Sequence, residues 1–195
     1  MEYLKRKILK EGEIREGGIL KVDSFLNHQI DIDCLNEIGK EFKKRFSDRE
    51  VTKILTVESS GIAVAVIAAQ YFNVPVIFAK KHEGRNLDTE VYESEVYSYT
   101  KDKKYKIRVS KKYISEGDKI LIIDDFLARG SAATGLVNIV EEAGATVSGV
   151  GIVIEKAFQE GGQKLRERNV NLHSLVRVRF DEKNTVVFVS SEKES

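Results

Sequence analysis

The chain has 195 residues, 42% of them hydrophobic, enough for one sizeable core and short for two complete domains. Its 32 basic residues nearly cancel the 31 acidic ones, so no molecule-wide field favours a nucleic acid and any anion site has to be local. A lone cysteine, Cys34, excludes an intrachain disulfide and a cysteine-built metal centre. No apolar run approaches the ~20 residues of a membrane span, and no signal-like segment follows Lys5, Arg6 and Lys7; the expectation is one cytoplasmic domain over residues 1–195 that engages no membrane.

Residues 2–11 have helical spacing. The short apolar pieces that follow, Ile19-Leu20-Lys21-Val22 and Phe25-Leu26, are too little for a domain and enough for a flap over residues 1–31. Ile32, Leu35, Ile38, Phe42 and Phe46 recur at intervals of three and four, which predicts an amphipathic helix over 32–46 packed on a sheet. Residues 53–57 (KILTV) predict a strand, 61–72 an alanine-rich helix and 75–79 (PVIFA) a further strand. Between 82 and 110 the pattern turns polar and β-leaning, with 91–100 and 105–109 as the arms of a projecting hairpin. Residues 119–123 (KILII) predict a strand, 130–143 a helix ending at Gly144, and 146–154 another strand. Strands alternating with helices predict an α/β fold, a mostly parallel central sheet flanked by helices, with ligands beyond the carboxyl ends of the strands.

The most informative run is Ile120-Leu121-Ile122-Ile123-Asp124-Asp125-Phe126-Leu127-Ala128-Arg129-Gly130-Ser131-Ala132. Four aliphatics lead into two adjacent acids. Neighbouring side chains of a buried strand face opposite ways, and unpaired buried charge is unfavourable, so the pair reads as a polar site at the strand tip rather than as core. Ala128, Arg129, Gly130, Ser131 and Ala132 then supply small residues where a helix begins, and several backbone N–H groups can converge there on one phosphate. Carboxylates beside such a nest suit the vicinal diol of a ribose 5-phosphate. The plainer alternative is that the acids cap a helix or open a turn. Glu58, Ser59, Ser60 and Gly61 repeat the strand–loop–helix arrangement and would suit a second anion, or simply a helix cap. Lys80 and Lys81 end the PVIFA strand and either neutralise that anion or stand in solvent. Arg129 either reaches a phosphate or points away while its backbone binds. Lysines interleaved with Tyr97, Tyr99 and Tyr105 form no nucleic-acid stripe, because Glu90, Glu93, Glu95 and Asp102 interrupt it. His28, His82 and His173 lack zinc-ligand spacing, and no protein metal site is expected.

The central run resembles the phosphoribosyl pyrophosphate signature of the type I phosphoribosyltransferases, with one departure: Gly130-Ser131-Ala132 stands where many members have Gly-Gly-Thr, leaving Ser131 as the available hydroxyl. The resemblance implies transfer of ribose 5-phosphate from phosphoribosyl pyrophosphate to a base. Asp124 and Asp125 would be catalytic, residues 58–61 and Lys81 would hold the pyrophosphate, and the hairpin over 82–110 would close flexibly over it. Mg2+ would be held mainly by the substrate and water, and the enzyme would be a homodimer.

Leu20-Lys21-Val22-Asp23-Ser24-Phe25-Leu26-Asn27-His28-Gln29-Ile30-Asp31, residues 58–63 and Ile152-Val153-Ile154-Glu155-Lys156-Ala157-Phe158 are further similar to the purine members whose base is xanthine. On that resemblance residues 1–31 are a base-covering hood. Leu20 and Phe25 would cover the ring, Asn27 would read what separates xanthine from hypoxanthine, and Lys156 would reach a purine carbonyl. Without it, Lys156 would pair with Glu155 or meet solvent, and Leu20 and Phe25 would be ordinary flap packing. The competing functions are guanine or hypoxanthine transfer on the same scaffold, and a non-catalytic regulator that senses phosphoribosyl pyrophosphate.

Overall fold

A six-stranded sheet in the order β10-β9-β8-β7-β3-β4 carries the molecule. The strands are β3 (Lys53–Val57), β4 (Val76–Ala79), β7 (Lys119–Leu127), β8 (Thr146–Lys156), β9 (Leu172–Phe180) and β10 (Val186–Phe188). Five of them pair in parallel, and β10 runs antiparallel to β9 at the edge. The computed structural model describes residues 1–15, 18–81, 90–98 and 102–190, the side chain of Ser98 excepted. The inner strands are nearly unbroken aliphatic runs, with Ile120, Leu121, Ile122 and Ile123 all fully buried, as expected for parallel strands covered on both faces.

On one face lie α1 (Glu2–Glu11), α2 (Ile32–Arg45) and α3 (Ser60–Phe72); α4 (Ser131–Glu142) and α5 (Gly161–Glu167) help to cover the other. Asp31 caps α2 by accepting from the Cys34 N–H at 3.0 Å, and the Lys7 ammonium 2.6 Å from the same carboxylate ties α1 to that cap. Leu35, Ile38, Phe42 and Phe46 are fully buried, whereas Ile32, expected in the same stripe, is 56% exposed. At 3.6 residues per turn Ile32 falls on the border of the stripe that the other four define. The α2 rings seat on glycines of β8: a Cβ at Gly151 would stand 2.8 Å from Phe42, and one at Gly149 would lie closer still to Phe46.

Two small ladders project from this frame. β1 (Glu13–Arg15) pairs with β2 (Ile19–Lys21), and a π-helical turn, Asp23–Asn27, follows. β5 (Val91–Ser98) pairs with β6 (Lys103–Ser110); Val96 and Ile107 pack on Gly135 of α4, and Lys80 and Arg108 exchange backbone hydrogen bonds at 2.9 Å. Glu95–Lys104, Glu93–Lys106 and Glu93–Arg108 ion pairs cross the second ladder, so its basic residues are largely matched locally. Tyr99, Thr100, Lys101 and His82 lie outside the described residues.

Two features depart from the sequence reading. The strand expected to end at Ile123 runs on to Leu127, so the acids sit within β7 and not at its tip. The reading also stopped at Phe158, although β9 and β10 complete the sheet and α5 leads into them. Their assembly centres on Glu155, 1% exposed on β8, which accepts from Ser174 Oγ at 2.5 Å, Arg177 Nε at 3.2 Å and Arg166 Nη2 at 3.2 Å. A buried carboxylate with every neighbour polar and paired is tolerated, and removing it strands its partners. Glu155→Ala is expected to destabilise the fold by about 3–5 kcal/mol, and Gly151→Ala by about 1–3 kcal/mol through overpacking against Phe42; urea unfolding midpoints measure both.

Candidate active site

The parallel arrangement gathers four carboxyl ends side by side: residues 80–81 after β4, residues 58–61 after β3, the acid pair and residues 128–132 at the end of β7, and Lys156 at the end of β8. Asp124 and Asp125 are each only 6% exposed. The Asp125 N–H donates to Asp124 Oδ1 at 2.9 Å, and Gly61 lies directly against that carboxylate, since a Cβ there would fall 2.8 Å from the same oxygen. Thr56 Oγ1 abuts the same glycine and, fully buried, has no hydrogen-bond partner among the described residues. Burial first, then the charge of Asp125 beside it, hold the Asp124 carboxyl well above the ordinary carboxylate value, and Lys81 pulls less strongly the other way.

Asn27 comes from 98 positions earlier in the chain. Its Nδ2 donates to Asp125 Oδ2 at 3.2 Å, while its Oδ1 is buried and has no hydrogen-bond partner among the described residues. The amide orientation follows from charge, because only the NH2 end can face a carboxylate. Leu20 and Phe25, 5% and 0% exposed, belong to the core beneath the turn, so any contribution to a base contact runs through the turn they support. Lys156 is half-buried with its Nζ 5.8 Å from the centre of the Phe126 ring; burial lowers its pKa, and among the described residues it has no carboxylate partner. Glu155, its sequence neighbour, is occupied by the two arginines on the opposite side of the strand.

Gly130 adopts φ +81°, a backbone conformation that suits glycine, and turns the chain into α4, whose first turn receives no side-chain cap. Above this turn lies a cavity of about 190 Å³, lined by residues 128–133 together with Phe126, Leu127, Val96, Tyr97 and Tyr105. Arg129 is exposed and directed to Glu160, 3.9 Å away. In the neighbouring loop Ser59 precedes α3 without a side-chain cap bond, and Glu58 Oε1 accepts from the Lys81 N–H at 2.5 Å. Lys80 is exposed, whereas Lys81 turns inward with its Nζ 5.8 Å from the Tyr105 ring. Among the described residues, no three His, Cys, Asp or Glu side chains converge as a metal cage.

Sequence reasoning had named Asp124, Asp125, Gly61 and Asn27, which the fold brings into one cluster, and Lys81, close enough to act on Asp124 electrostatically. It had not singled out Thr56 or, as part of this site, Tyr105, whose hydroxyl is pushed to higher pKa by burial and then by the Asp124 charge. Neither carries a local signal: each is an ordinary strand residue until the sheet places it beside the acids.

Because folding raises the Asp124 pKa, both folded and unfolded chains hold the proton below the ordinary carboxylate value. As pH rises through that value the unfolded chain releases it first and stability falls. Asp124→Asn, which has no proton to lose, is expected to melt higher than the parent at neutral pH, by on the order of 2–4 °C. The advantage should fade as pH is lowered through the ordinary carboxylate range, and melting curves across pH check both parts.

The family model for the phosphoribosyl transferase domain matches residues 23–187. The xanthine phosphoribosyltransferase of Clostridium novyi is 61% identical over 188 residues, covering 96% of this chain and 99% of that protein. Among solved structures, the adenine phosphoribosyltransferase of Trypanosoma brucei, in complex with AMP, pyrophosphate and ribose-5-phosphate, superposes with a TM-score of 0.75 at 21% identity, over 89% of this chain and 79% of its own. That of Saccharomyces cerevisiae reaches 0.73 at 20% identity, over 90% and 99%. An acid pair in a central strand, a tight turn into a helix, and relatives matched from end to end agree on one conclusion: the chain belongs to the phosphoribosyltransferase family.

Proposed function

We propose that this chain is a xanthine phosphoribosyltransferase, which transfers ribose 5-phosphate from phosphoribosyl pyrophosphate to xanthine and releases pyrophosphate. The observation that carries the choice of base is the buried Asn27 carbonyl, held beside the acid pair with no hydrogen-bond partner among the described residues. That oxygen can only accept. Facing position 3 of a bound purine, it would meet the ring N–H of xanthine, where hypoxanthine and guanine carry a bare nitrogen and would leave two acceptors opposed. The 61% identity to a xanthine phosphoribosyltransferase supports the same reading.

In this reading the N–H groups of residues 128–132 hold the 5-phosphate, with Ser131 adding a hydroxyl, and Asp124 and Asp125 grip the ribose diol. Glu58, Ser59, Ser60, Gly61 and Lys81 face the pyrophosphate. Lys156 donates to a purine carbonyl, and Leu20 and Phe25 back the hood that carries Asn27. As pyrophosphate leaves the anomeric carbon and a purine nitrogen attacks from the other face, positive charge grows on the sugar. The protein supplies alignment and two carboxylates beside that charge. The positive charge is the counterpart that Asp124 lacks in the free protein. A magnesium ion held mainly by substrate oxygens and water would, when bound, neutralise the departing pyrophosphate.

The whole chain acts as one catalytic unit, with the segment before α2 as hood and the β5–β6 ladder as the cover that closes over the site. It works in the cytoplasm; among the described residues no helix is long and apolar enough to cross a membrane. We expect a homodimer, with exposed Phe78 and Val66 beside edge strand β4 as an apolar surface suited to self-association; sedimentation measures it.

The test is product identification with phosphoribosyl pyrophosphate, magnesium and a panel of purines, xanthine being preferred. Turnover on guanine or hypoxanthine in preference to xanthine, or none at all, would overturn the assignment. Asp124→Ala combined with Asp125→Ala should lower turnover roughly 100-fold or more in a folded protein. Asn27→Ala should shift the xanthine-to-hypoxanthine ratio more than it lowers total activity, and equal losses on both bases would remove Asn27 from base selection.

A further inference from the structure

We infer that Gly161 and Gly162 are paired positioning residues: Gly161 sets the phosphate loop, and Gly162 sets the Glu155 carboxylate that braces the Lys156 end of β8. The inference rests on the proposed roles of residues 128–132 and Lys156.

The first half is a contact of backbone on backbone. The Gly161 N–H donates to Ala128 O at 3.1 Å. A Cβ at 161 would lie 2.6 Å from Gly130 N, 2.9 Å from Arg129 C and closer still to Ala128 O; reciprocally, a Cβ at Gly130 would lie 2.9 Å from Gly161 Cα. No rotamer can relieve such a contact, so any side chain at 161 has to displace the loop itself. The loop is thus seated on the start of α5 rather than only on the helix it opens.

The second half runs through side chains. A Cβ at Gly162 would lie 2.6 Å from Arg166 Nη1 and 3.0 Å from Glu155 Cδ. Side-chain ends usually step aside, but Glu155 is 1% exposed and already held by Ser174, Arg177 and Arg166, so moving it breaks bonds that nothing replaces. Adjacent residues of a strand face opposite ways, and the anchorage of Glu155 on one side therefore fixes how Lys156 leaves the strand on the other. Two consecutive residues without side chains allow α5 to touch both places at once.

Steady-state kinetics of Gly161→Ala, Gly162→Ala and Glu155→Gln, each varied in both substrates, test this. Gly161→Ala should raise KM for phosphoribosyl pyrophosphate about tenfold or more and leave KM for xanthine within about twofold. Gly162→Ala and the nearly isosteric Glu155→Gln should do the reverse. KM values that move together, that do not move, or a loss confined to kcat would overturn the inference. So would a chain that no longer folds with either glycine replaced, since that assigns the pair a purely structural part. Ribose 5-phosphate affinity by calorimetry needs no turnover. A parent protein inactive on every purine would sink the xanthine reading, while weakened ribose 5-phosphate binding by Gly161→Ala would still support the loop seat.

Discussion

Two neighbouring carboxylates buried in one strand are the constraint around which the molecule is arranged. Asp124 and Asp125 retain only 6% of their exposure, and bare charge in such a place is unfavourable by several kcal/mol. The surroundings meet this with few groups: a backbone N–H, the Asn27 amide, a lysine at the end of β4, and a glycine in α3 that lets the helix approach the acids without a side chain. The balance is incomplete, as the raised pKa of Asp124 shows. In the proposed reaction a sugar developing positive charge would complete such a site, at some cost in stability to the free protein.

β8 is the second organiser. Its glycines receive the rings of α2, its Glu155 collects Arg166, Arg177 and Ser174, and its last residue, Lys156, stands at the mouth of the site. Lys156 escapes an ion pair with its neighbour because the strand directs the two side chains to opposite faces and the arginines occupy Glu155. An amine that is half-buried, uncompensated and beside an aromatic ring is suited to meet a carbonyl.

Much of this was legible in the chain because its signals are local. The 3.6-residue spacing of Leu35, Ile38, Phe42 and Phe46 marks a helix, four aliphatics before two acids mark a strand entering a polar place, and small residues after it mark the turn into α4. What escaped is non-local or mixed. The bond from Asn27 to Asp125 joins residues that no spacing relates, and Thr56 acquires meaning only when Gly61 and Asp124 close on it. Residues 176–179 alternate Val and Arg in a strand-like way, yet their charges, drawn inward to Glu155 in the case of Arg177, disguise an inner strand as a surface one. The acids read as the tip of the strand because unpaired buried charge is unfavourable; here pairing with β8 continues through Asp124, Phe126 and Leu127.

The strand order also bears on how the chain assembles. β3 lies between β4 and β7, yet β7 begins at Lys119, long after β3 and β4 have both emerged. One flank of β3 must therefore wait, with its backbone donors and acceptors unmatched, until more than half of the protein has been made. Loop closure over such separations is entropically slow, and open strand edges invite wrong partners, so early collapse of the first eighty residues favours association between incomplete chains. The bond from Asn27 to Asp125 waits for the same strand, and β8, β9 and β10, which brace that strand from its other side, are added later still.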